Sequence, residues 1–96
     1  PAFYDVLSND KWSVRLGAMV VMEEIIRQQP ALAAQAIKPL WERFFEFSDQ
    51  VKGDILYIFG EIGESQALAK LKSVLSGKFG KEVKEAAEEA LQKIRK

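Results

Sequence analysis

Carboxylates are the only abundant side chains here with catalytic potential, and they fall into three groups: Glu23-Glu24, Glu61 with Glu64, and Glu85 with Glu88-Glu89. Paired carboxylates do general acid–base work when burial drives their pKa values apart, and they bind hard cations when they converge. Neither use is expected. Lysines stand at supportive helical spacing, Lys81 to Glu85, Lys84 to Glu88 and Glu89 to Lys93, which is the pattern of solvated helix faces. The 96 residues include no cysteine and no histidine. A thiolate nucleophile, a disulfide and a thiolate metal site are therefore excluded, and the commonest general base and metal ligand is missing. The chain is read as non-enzymatic, with no cofactor and no metal.

Two other motifs invite a binding role. WERFFEF, residues 41–47, places one tryptophan and three of the six phenylalanines in seven positions, as a stacking platform would. Nucleic-acid binding also needs a basic stripe among the aromatics. Residues 66–96 carry eight bases against four acids but only one aromatic, Phe79, whereas residues 1–65 carry six bases against ten acids. The two ingredients are separated, and nucleic acid remains a minor alternative. Gly60-x-x-Gly63 lacks the preceding strand of a phosphate loop; close helix approach at Gly60 and a left-handed helix cap at Gly63 are expected instead.

The elements that position these residues are helices. Apolar residues recur at spacings of three and four, alternation is nearly absent, and the fold class is all-α. Six helical segments are expected, roughly 2–7, 12–28, 31–47, 50–62, 65–76 and 80–95, separated by Ser8-Asn9-Asp10, Gln29-Pro30, Ser48-Asp49, Gly63-Glu64-Ser65 and the Gly77–Gly80 turn. Such short links join helices into antiparallel hairpins. At 48% hydrophobic and 29% charged residues, with net charge zero, one domain spanning 1–96 is expected. No stretch has the length and apolarity of a membrane span, and a cytoplasmic protein is expected.

Sliding the sequence along itself reveals a repeat. Val14-Arg15, Val51-Lys52 and Val83-Lys84 each open a helix, followed in register by Ala18, Ile55 and Ala87, then Met22, Phe59 and Leu91, then Ile25, Ile62 and Ile94. The offsets are 37 and 32 residues throughout. Helical hairpins repeating at this length stack as an α-solenoid. The units span about 1–29, 30–63 and 64–96.

The stretch DQVKGDILYIFGEIGESQALAKLKSVL resembles a HEAT-like repeat of the phycobilisome-lyase type, with Phe59-Gly60-Glu61-Ile62-Gly63 matching its Leu-Gly-x-Ile-Gly element and Ala67 with Leu71 its following helix. The resemblance implies a right-handed α-α superhelix of about three hairpins, in which turn acids support the base after Val: Asp10 with Arg15 and Asp49 with Lys52. Gly80-Lys81 departs from that pattern and leaves Lys84 without such an acid. More distantly, PLWERFF with DQVKGDILYIFGEIG is similar to tails that follow thioredoxin- or glutaredoxin-like domains in bacterial proteins. Together the two resemblances imply, as an alternative function, an accessory or ligand-presenting domain of a larger enzyme such as a lyase or a thioredoxin-like redox protein. The opening at Pro1 and the short first helix favour excision from a longer chain.

At 100° per residue, the face of 12–28 opposite Val14, Ala18, Val21 and Ile25 carries Leu16, Met19, Val20 and Glu23. The equivalent face is Gly53, Leu56, Tyr57 and Gly60 in the second unit, and Glu85, Glu88, Glu89 and Gln92 in the third. It grades from apolar to wholly polar, so 80–96 reads as a solvent-facing cap and the first unit as uncovered. The candidate interaction face is Leu16, Met19, Val20, Glu23, Leu56 and Tyr57. It is expected to meet a protein partner, an upstream domain of the same chain, or a second copy, unless the segment Ala2, Phe3, Tyr4, Val6 and Leu7 folds over it. In WERFFEF most aromatics are expected inside, with Trp41 or Phe45 at the rim.

Overall fold

The computed structural model describes residues 2–95. Within them seven α-helices and one 3-10 turn succeed one another: α1 (Ala2–Leu7), α2 (Trp12–Gln28), α3 (Pro30–Ala34), α4 (Ile37–Glu42), the turn Phe44–Glu46, α5 (Asp49–Ile62), α6 (Ser65–Ser76) and α7 (Lys81–Arg95). No strand occurs among the described residues, and no helix is long and apolar enough to cross a membrane. Local chemistry sets several ends. Ser48 caps α5, its Oγ accepting from the Val51 N–H at 3.3 Å, and Gly63 closes it at φ 69°, a left-handed conformation that glycine adopts without a Cβ penalty.

The expected helix 31–47 is not continuous. It breaks at Gln35-Ala36 and again at Arg43. Pro39 supplies the reason for the first break: it has no N–H to give the carbonyl of Gln35, and its ring crowds that carbonyl. The chain tightens just before it, with Gln35 N–H bonding Leu32 O and Ala36 N–H bonding Ala33 O. The second break falls inside WERFFEF, which therefore does not lie on one continuous helix. Phe44 is fully buried, Trp41 and Phe47 are half-buried, and Phe45 is 64% exposed.

The helix α5 is central, packed against α7, α6, α2 and α3. Its buried residues Val51, Ile55, Leu56, Ile58, Phe59 and Gly60 leave only one strip for solvent. Residues at offsets of 37 and 32 share burial in two cases: Ala18, Ile55 and Ala87, and then Met22, Phe59 and Leu91, are all buried. Val51 and Val83 are buried as well, but Val14 is 38% exposed. No described helix precedes α2 in the position that would cover it.

Glycine sets the closest packing. A Cβ built on Gly60 would lie 2.8 Å from Ala90 Cβ and 2.9 Å from its Cα, whereas a Cβ on Gly17, in the middle of α2, meets nothing within 4 Å. Alanine should therefore act in opposite senses at these positions. Gly17→Ala is expected to stabilise the fold by about 0.4 to 1 kcal/mol through chain entropy and helix propensity. Gly60→Ala should cost about 1 to 2 kcal/mol net, because α7 must move. Urea unfolding at micromolar concentration checks both signs; a gain at Gly60 would refute the close approach of α5 and α7.

A candidate interaction surface on α2 and α5

The side of α2 that faces the core is set by Arg15, which is 1% exposed. Its Nε donates to Asp54 Oδ2 at 2.5 Å, and its Nη1 donates to the carbonyls of Asn9 at 2.8 Å and Asp10 at 3.3 Å. The expected partner, the Asp10 carboxylate, instead accepts from Ser48 Oγ at 3.3 Å. Asp54 lies one turn further into α5 and can reach across the seam between α2 and α5. The second expected pair, Asp49 with Lys52, is present at 3.9 Å. Lys52 Nζ also stands 5.9 Å from the centre of the Phe44 ring and 5.8 Å from that of Phe79.

Turning Arg15 inward buries Ala18 and Met22 beside it. Of the expected inward face Val14, Ala18, Val21 and Ile25, Ala18 is buried and Ile25 half-buried against the core, but the other two are not. Val14 and Val21 are exposed, at 38% and 50%. Trp12, Leu16 and Val20, spaced four apart, form an outer stripe exposed by 65%, 44% and 63%. The helix α1 packs on α2 and buries Leu7, yet it leaves this stripe open. The side chains of Ala2 and Phe3 lie outside the described residues.

The six predicted surface residues divide accordingly. Leu16, Val20 and Glu23 are exposed, and Met19 and Tyr57 are half-buried against the core. Leu56 does not belong to the surface: it is fully buried. Gly53 and Gly60 flank it on one stripe of α5 and admit α7 close against that stripe, where a Cβ on Gly53 would lie 3.9 Å from Ala86 Cβ.

Next to the apolar stripe is a polar cluster. Lys93 Nζ donates to Glu61 Oε1 at 2.5 Å and lies 4.1 Å from the centre of the Tyr57 ring. Burial, followed by the negative charges of Glu61 and Glu23, pushes the Tyr57 hydroxyl above its ordinary range. The hydrogen bond to Glu61 holds the Lys93 ammonium above its own, against the opposing effect of burial. Both therefore stay protonated near neutrality, Tyr57 as a neutral donor and Lys93 as a cation. An open cleft of about 340 Å³ between α2 and α5 is lined by Glu23, Ile26, Arg27 and Glu61. The arrangement offers apolar side chains from α2 beside fixed hydrogen-bonding groups from α5 and α7. Among the described residues no three Asp or Glu side chains gather as a cation site.

Sequence reasoning does not single out Trp12 or Lys93. Trp12 is accessible to it, since it continues the Leu16–Val20 stripe one turn back; Lys93 is not, because its place beside Tyr57 depends on how α7 packs. Comparison with protein-family models, with curated proteins and with solved structures returns no match for this chain.

Proposed function

We propose that this chain is a non-catalytic, HEAT-like helical-repeat module, a right-handed stack of about three hairpins that binds a protein or a companion domain through α2 and the exposed strip of α5. The observation that carries this reading is the stripe Trp12, Leu16 and Val20, solvent-exposed on a helix that a buried arginine anchors to α5. Contiguous apolar surface of this kind, rimmed by Glu23, Arg27 and Tyr57, is characteristic of interaction sites. The common burial of equivalent positions at offsets of 37 and 32 residues supports the repeat.

A photoreactive amino acid at position 20, compared with one at Glu88 on the polar face of α7, tests the reading in cells. Position 20 should give a discrete protein adduct and position 88 none. Equal labelling at both, or no adduct at position 20, would refute it.

A further inference from the structure

We infer that the exposed face of α2 pairs with α2 of a second copy, the two helices running antiparallel about a twofold axis between Gly17 and Val20. This deepens the interaction reading above and rests on it. The face itself is nearly self-complementary. At 100° per residue Ser13, Gly17, Val20 and Glu24 form its centre line, and in an antiparallel pair residue numbers that sum to 37 come opposite each other. Gly17 then receives Val20 of the second copy, and Ser13 receives Glu24. Leu16 and Val21 each meet their own counterpart on either edge.

Three features of the chain fit this arrangement. The first is Gly17, disfavoured inside a helix and needed by no contact within the molecule, since the space above it is open to 4 Å. A helix crossing there would fill that space. The second is the start of α2, which has no side-chain cap and no acid in its first turn. The antiparallel copy brings Glu24 over those free N–H groups and the positive end of the helix dipole. Arg27 and Gln28 both donate to Glu24 and hold its carboxylate in place.

The third is size and closure. The exposed fractions of Val6, Trp12, Val14, Leu16, Val20 and Val21 amount to on the order of 500 Å² of apolar surface, the upper end for a lone monomer. Only Leu16, Val20 and Val21 stand beside the centre line, since Trp12 and Val14 lie about 90° or more from it and Val6 is on α1. The pair therefore buries less than about 1,000 Å², below the size of a stable interface, and the dimer is weak. Head-to-tail association would set this face against α7, whose Glu85, Glu88, Glu89 and Gln92 are exposed and polar. An isologous pair closes; a filament does not form.

The absence of cysteine makes the register directly testable. Across the proposed axis the two copies of residue 20 are offset by about 4.5 Å along the helix, whereas two copies of residue 13 are offset by about 16 Å, too far for a disulfide. Mild oxidation of Val20→Cys should give a covalent dimer. Ser13→Cys and Glu24→Cys should stay monomeric alone and crosslink when mixed. Sedimentation of the cysteine-free chain from about 10 μM to about 1 mM, the range a contact of this size demands, should show monomer passing to dimer and no further. Val20→Glu should lose the dimer throughout with an unchanged helical spectrum, because that side chain is already exposed.

Crosslinking of Ser13→Cys alone, growth beyond a dimer, or a monomer at the highest concentration overturns the pairing. If the chain stays monomeric while position 20 still labels another protein, only the second-copy assignment fails. If position 20 labels nothing as well, the interaction reading falls with it.

Discussion

Asp54→Ala is expected to lower the unfolding free energy by about 3 to 5 kcal/mol, the usual consequence of stripping one partner from a buried ion pair. The asymmetry of the pair makes the prediction sharp. Arg15 is 1% exposed, while the Asp54 side chain is 35% exposed, so removing the aspartate leaves a guanidinium enclosed by protein with only two backbone carbonyls for company. Removing the charge on both sides is a different experiment. Arg15→Met with Asp54→Leu should recover most of the loss, since a hydrophobic pair of similar volume carries no desolvation penalty. Urea titrations followed by circular dichroism give both values. A loss below about 1 kcal/mol for Asp54→Ala would mean that Arg15 finds water, and that the seam between α2 and α5 is looser than described.

Phe44→Ala should be comparably severe, about 3 to 5 kcal/mol. Phe44 is fully buried in the 3-10 turn before α5, stacked on Trp41 at 5.0 Å and edge-on to Phe79 at 5.8 Å. Its ring ties the segment before α5 to the turn before α7, and its loss opens a cavity between them. At about 4 to 8 °C per kcal/mol for a chain of this size, the melting temperature should drop by at least about 12 °C. The neighbouring Phe45→Ala is the control. That ring stacks on Phe79 at 5.7 Å but is 64% exposed, and a cost below about 1 kcal/mol is expected. Equal costs for the two would mean that WERFFEF packs as one face after all.

Helical periodicity is a reliable guide wherever a helix is long and uninterrupted. The bounds of α2, α5 and α6, the cap at Gly63, the close approach at Gly60 and the buried registers through Ala18, Ile55 and Ala87 follow from spacing, capping residues and glycine placement. The segment 31–47 is the exception, because a proline within a strongly apolar run suggests no more than a bend. Its effect on the carbonyl four residues earlier is instead enough to divide the run into short pieces.

The candidate surface is only partly legible. Leu16, Val20 and Glu23 lie outside, as their place on the wheel indicates, but Leu56 has the same character and lies inside. A wheel ranks the faces of one helix, and it carries no information about which neighbour arrives or how closely. For α5 the deciding fact is that Gly53 and Gly60 admit α7. For α2 it is that Asp54, 39 residues beyond Arg15, draws the arginine inward and turns Val14 and Val21 towards solvent.

By itself, then, the sequence determined the all-helical class, the bounds of the long helices and the absence of Cys and His chemistry. These are properties of composition and of contacts within a few residues, where 3.6-residue periodicity and capping act. Tertiary structure alone decided the rotation of α2 about its axis, the burial of Leu56 and the gathering of Tyr57, Glu61 and Lys93. Each depends on a charge pair, a close approach or a packing angle between segments more than thirty residues apart, and no local preference encodes it.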